Sequence, residues 1–116
     1  MPADSTNIEL QTITCIETSE PGSDEVYITY IEDGGIEKRF PTSNYHSMSA
    51  GGPPWTVNLP LSFKESAVVS LYDNDFGHDE FLGSHTYYPS EHQPETVQVS
   101  NNNGAKYNLY TVLTPE

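Results

Sequence analysis

Apolar and polar residues alternate along most of this chain. The alternation is strictest over Trp55-Thr-Val57-Asn-Leu59-Pro-Leu61-Ser-Phe63, where every second side chain is apolar. Period two marks a strand with one face toward a core, because successive side chains of extended backbone point to opposite sides. The same reading predicts strands over Asn7–Ile16, Val26–Glu32, Ile36–Phe40, Ala67–Tyr72, Phe81–Tyr88, Thr96–Ser100 and Lys106–Leu113. Turn chemistry separates them: Pro21-Gly22-Ser23 breaks the first from the second, and Asp33-Gly34-Gly35 and Asn101-Asn-Asn-Gly104 each predict a hairpin. Pro41–Pro54 reads as a loop, since Gly-Gly and Pro-Pro leave little room for a ladder. Pro60 lacks a donor, which predicts an edge strand or a bulge there. No helical period stands out. Eight short strands punctuated by turns predict an all-β fold, an eight-stranded antiparallel Greek-key β-sandwich, with residues 1–6 a frayed tail and 7–116 one domain.

Two of the predicted connections are strongly acidic. Asp73-Asn-Asp75-Phe-Gly-His-Asp79-Glu80 follows an apolar strand and holds four acids in eight residues. Glu17-Thr-Ser-Glu20-Pro-Gly-Ser-Asp24-Glu25 leads into another strand. Carboxylate oxygens at that density, carried by loops on a rigid scaffold, suit a hard divalent cation, calcium above all. An EF-hand beginning at Asp73 fails on spacing, because its sixth and twelfth positions are His78 and Ser84 rather than Gly and Glu. The scattered histidines form no pair with zinc spacing.

Composition narrows the classes of function. In 116 residues there are 17 Asp and Glu against 4 Lys and Arg, a formal charge of −13. Such a chain repels nucleic acid and, without a bridging cation, anionic membranes. Lys38-Arg39 is the only adjacent basic pair, too little for a polybasic lipid patch. One cysteine, Cys15, reads as a small apolar residue of the first strand and forms no disulfide within the chain. With neither a signal-like apolar stretch nor a transmembrane run, the expected location is cytoplasmic, with peripheral attachment to membranes. Asp-x-Asp after a strand also opens phosphotransfer sites of large α/β enzymes, but a short all-strand chain cannot supply that scaffold, and no nucleophile elbow or phosphate loop occurs. The expectation is a non-enzymatic protein.

With these motifs in order, the chain resembles a C2 domain, the calcium-dependent lipid-binding module of protein kinase C and synaptotagmin. Glu20-Pro-Gly22-Ser23-Asp24-Glu25-Val-Tyr stands where that family has an acid, Gly and Ser-Asp-Pro-Tyr-Val. Pro53-Pro54-Trp55 precedes an alternating strand ending in Phe63, where the family has Asn-Pro-x-Trp. Leu71-Tyr-Asp73-Asn-Asp75, then Asp79-Glu80-Phe-Leu82-Gly83, matches the family's strand, Asp-x-Asp and late acid before Leu-Gly. The pattern spans roughly residues 8–113. It departs at Glu17 and Glu20, where Asp is usual, at Glu25 in place of Pro, and in a second loop without an acid.

The resemblance implies a sandwich that binds calcium in its apical loops and attaches to membrane lipid or a protein partner. Asp24, Asp73 and Asp75 match the family's ligand positions, with Asp79 next. By their own placement, Asp73 and Asp75 can share an ion as the strand ends, Asp79 or Glu80 closes the loop onto it, and Asp24 approaches from the neighbouring loop, with Glu20 and Glu17 as lesser candidates. Glu in place of Asp and a second loop lacking acids predict an affinity on the order of 10⁻⁵ to 10⁻³ M. Phe76, at the tip of the third loop, is the candidate membrane or partner contact, or else a ring packed over its own loop. Competing classes are a calcium-stabilised structural or interaction module and a carbohydrate-binding sandwich, neither with a membrane role.

Overall fold

A computed structural model describes residues 5–75, 77–90 and 94–114. Nine strands follow in order: β1 (Thr6–Glu17), β2 (Ser23–Glu32), β3 (Lys38–Phe40), β4 (His46–Ser49), β5 (Trp55–Phe63), β6 (Ala67–Asp73), β7 (Glu80–Tyr87), β8 (Glu95–Ser100) and β9 (Lys106–Leu113). They form two antiparallel sheets. One runs β5-β1-β9-β8; the other runs β3-β2-β6-β7, with β4 also paired to β2. The chain crosses between sheets after β1, β4, β5 and β7, which makes the whole a sandwich. Among the described residues there is no helix, so none is long and apolar enough to cross a membrane.

The eight predicted strands are all present, and β4 is the addition. His46-Ser-Met48-Ser carries a single apolar residue within a stretch of turn formers, so no periodicity announces it. Its ladder comes from afar, through Ser49, Met48, Ser47 and His46 opposite Ser23, Asp24, Glu25 and Val26. Met48 is buried and His46 stacks on Trp55 at 4.7 Å. Thr6 already pairs with Phe63, so β1 begins inside the expected tail, whose residues 1–4 lie outside the described ones.

The alternation read from β5 is observed without a miss, with Trp55, Val57, Leu59, Leu61 and Phe63 facing the core. Pro60 sits on an edge strand paired only to β1, as its missing donor requires. Asn58 takes φ +45°, and the register against β1 slips between Leu10 and Thr12. Cys15 is buried, and burial pushes its thiol pKa up, the opposite of an activated nucleophile.

At the end of β2, Asp33 (φ +54°) and Gly34 (φ +68°) make the expected hairpin to β3. The Asp33 carboxylate accepts the N–H groups of Lys64, Glu65 and Ser66, fastening the β5–β6 connection, and these donors hold its pKa below the usual carboxylate range. This pole of the molecule lies opposite the acidic connections. Along one seam the two sheets approach closely. At Gly83 in β7 (φ +148°) a Cβ would stand 2.7 Å from the Ser100 nitrogen of β8. Gly83→Ala should therefore lower unfolding stability by about 1–3 kcal/mol in urea titrations, from overpacking against backbone that cannot give way.

Candidate metal centre

The inward stripe of β6 runs Ala67, Val69, Leu71 and then Asp73; in β2 it runs Ile28, Val26 and then Asp24. Period-two alternation thus carries two carboxylates, each fully buried, into the mouth of the sandwich. Antiparallel pairing sets Asp73 opposite Val26, with Asp24 the next inward residue of β2 and near enough to repel it. The Glu25 N–H donates to Asp73 Oδ1 at 2.8 Å, and the Asn74 N–H returns to the Glu25 carbonyl at 2.7 Å. Asp73 Oδ2 is buried without a hydrogen-bond partner among the described residues.

Around that oxygen the connections close. Carboxylate oxygens of Glu20, Asp73, Asp75 and Glu80 all lie within 4.8 Å of one another. Two oxygens bound to one calcium at 2.3–2.6 Å are at most about 5 Å apart, so this spread fits a shared ion. The donor set is entirely hard oxygen. Without an ion the arrangement is costly. Burial, with Asp24, Asp75 and Glu20 adding repulsion, pushes the Asp73 pKa up to about 7 against the opposing pull of the Glu25 N–H. Asp75 and the other acids raise Glu20 as well. Glu80 is lowered by the nearby Ser19 hydroxyl dipole and by the hydrogen bond from Asn103.

The other sequence candidates lie outside the group of four. Asp24 Oδ2 accepts the Tyr107 hydroxyl at 2.6 Å and the Ser19 N–H at 3.0 Å, while its Oδ1 has no partner among the described residues. Asp24 therefore backs the cluster and ties it to β9 of the opposite sheet. Asp79 turns outward, where its carboxylate accepts the Tyr27 hydroxyl at 2.5 Å. Tyr27 is itself held between Arg39, 3.9 Å over its ring, and Tyr72, stacked at 5.5 Å. Glu17 faces Lys106 at 3.6 Å, and Glu25 takes the hydroxyls of Ser23 and Ser47. Phe76, the candidate contact residue, lies outside the described residues. A cleft of about 360 Å³ beside the cluster is lined by Tyr45, Asn74, Asp75 and Gly77.

Sequence reasoning missed Tyr107 and Asn103. Asn103 Nδ2 donates to Glu80 Oε2 at 2.5 Å from the β8–β9 turn. The turn itself was legible as Asn-Asn-Asn-Gly; nothing in the pattern says which loop it meets.

No family model matches this chain, and no curated protein matches it. Solved structures do. The C2 domain designated A of a plant extended synaptotagmin 1 superposes with a TM-score of 0.64 at 13% identity, covering 100% of this chain and 98% of that one. The chain has the C2 fold. A structure described only as a C2 domain gives a TM-score of 0.53 at 11% identity, covering 96% of this chain and 98% of the other. Human GIVD cytosolic phospholipase A2 gives 0.56 at 13% identity over 94% of this chain, which spans only 16% of that enzyme. At these identities the likeness is one of C2 architecture, and the chemistry rests on the residues themselves.

Those residues make a pH prediction for the ion-free protein. The folded pKa of Asp73 lies above its ordinary value, so the folded state holds a proton that the unfolded chain releases. That contribution is complete below about pH 4 and is lost as pH rises through about 7. In chelator, Tm should fall between pH 5 and pH 7.5, and Asp73→Asn should flatten the slope. Asp33 and Glu80, shifted downward, act below this window.

Proposed function

We infer that this chain is a non-enzymatic calcium-binding module that attaches to membrane lipid or a protein partner when calcium fills its apical loops. The observation that carries this reading is the buried, unpartnered Asp73 Oδ2 among three further carboxylates within 4.8 Å. A buried anionic oxygen without a donor is strongly unfavourable, and a divalent cation is the species that would satisfy it and its neighbours together. Asp73, Asp75, Glu80 and Glu20 would hold the ion, with Asp24 behind them offering Oδ1. Calcium would supply positive charge there, taking the carboxylate oxygens as its ligands. The protein's part is to aim the four carboxylates and keep two of the aspartates dry.

Attachment follows from the electrostatics. Before calcium, the acidic mouth repels any anionic surface; one divalent ion would offset half the charge of the four carboxylates, and the cleft beside Asp75 would lie next to that cation. The C2 architecture supports this reading, and so does the acidic donor set. The protein would act in the cytoplasm, moving to membranes as calcium rises.

One observation favours a second reading, a calcium-stabilised interaction module that never meets a membrane. Of the four basic residues, Lys38 is paired with Glu32, Arg39 stacks on Tyr27 and Lys106 faces Glu17. Among the described residues no cationic patch is left to assist docking to anionic lipid.

Calorimetric titration tests the ion. Uptake with a dissociation constant on the order of 10⁻⁵ to 10⁻³ M is expected, with Tm rising by about 5 °C at saturating calcium. An unchanged Tm at millimolar calcium would overturn the reading. The Asp73→Asn, Asp75→Asn double variant should lose the calcium response while melting in chelator at or above the wild-type temperature. Sedimentation with liposomes separates the two readings: calcium-dependent pelleting supports membrane attachment, and calcium uptake without pelleting supports the interaction module.

A further inference from the structure

Two features that arise independently meet at Asn103. The first is reactivity. Asn103 stands exposed in the β8–β9 turn, directly before Gly104. An asparagine in that context presents its side-chain carbonyl carbon to a backbone nitrogen that no Cβ shields. Gly104 has φ +101°, with open space where a side chain would stand. The second is position. Asn101 Oδ1 accepts the N–H groups of Asn103 at 2.9 Å and Ala105 at 3.0 Å, while its Nδ2 donates to the Phe81 carbonyl at 2.9 Å. The turn is thereby docked on β7, and the Asn103 carboxamide reaches Glu80 of the acidic cluster.

We propose that Asn103 is a site of deamidation, and that its conversion to aspartate adds a fifth carboxylate to the apical cluster and tightens its hold on a divalent cation. The effect on affinity rests on the calcium reading above; the modification does not. The Gly104 amide nitrogen attacks Asn103 Cγ and a C–N bond forms. The Cγ–Nδ2 bond breaks, and ammonia leaves with the displaced proton, closing a five-membered imide. Water then opens the imide at Cγ to give aspartate, or at the backbone carbonyl to give isoaspartate. The net change is one water taken up, one ammonia lost and one negative charge gained.

In the aspartate product the donor to Glu80 Oε2 is gone and a like charge faces it. A cation relieves both. One added charge a few ångströms from a divalent ion, at near-aqueous screening, strengthens binding by roughly tenfold.

The experiment ages the intact protein at mildly alkaline pH and follows every asparagine by peptide mass spectrometry. In parallel, calcium is titrated into Asn103→Asp and into Asn102→Asp, which adds the same charge to the same turn. Asn103 should convert before the other asparagines. Asn103→Asp should bind calcium roughly three- to tenfold tighter than Asn102→Asp and melt at a lower temperature in chelator. A carboxamide at 103 that outlasts the others overturns the modification. Equal affinities overturn the coupling. If the wild type takes up no calcium, the functional reading fails, yet a lower Tm for Asn103→Asp in chelator still supports the contact with Glu80, and an equal Tm overturns it.

Discussion

The structure depends on a conflict between burial and charge at one end of the sandwich. The alternation that lays Val26, Ile28, Leu71 and Val69 into the core continues for one more inward position on each strand, and there it delivers Asp24 and Asp73. Burial of both is tolerated because each has one oxygen engaged, Asp73 by the Glu25 N–H and Asp24 by Tyr107 and Ser19. Their second oxygens have no such partner among the described residues. Half-satisfied anions in a dry setting account for the raised Asp73 pKa and for the fit of the cluster to a hard cation.

Both sheets build the cluster. Glu20, Asp73, Asp75 and Glu80 come from connections and strand ends of the β1–β2 and β6–β7 regions, while Tyr107 reaches Asp24 from the opposite sheet and Asn103 reaches Glu80 from the β8–β9 turn. The Gly83 seam brings β7 and β8 close enough for that last contact to form. The geometry of the cluster is thus coupled to how the sheets are held together.

Strand positions were legible because nearly every strand has one dry face, and one dry face writes period two into the residues. β4 escaped because Met48 alone faces inward there, and its ladder is supplied by β2. The acidic connections were legible as chemistry, and four of their acids do converge. Spacing alone does not say which of Asp79 and Glu80 turns inward. The structure sends Glu80 to the cluster and Asp79 to Tyr27, whose ring Arg39 and Tyr72 stack on from other strands. Tyr107 and Asn103 were silent for the same reason: their roles depend on which distant loop they meet, and spacing along the chain carries no record of that.

At the far pole, Asp33 presents a carboxylate much like those of the apical group, yet three amides from the β5–β6 connection already occupy it. That carboxylate has its donors within the protein. The molecule is therefore polarised in its dependence on the surroundings, with a self-sufficient base and a conditional tip. A fusion or tether attached near the base would leave the acidic end uncovered.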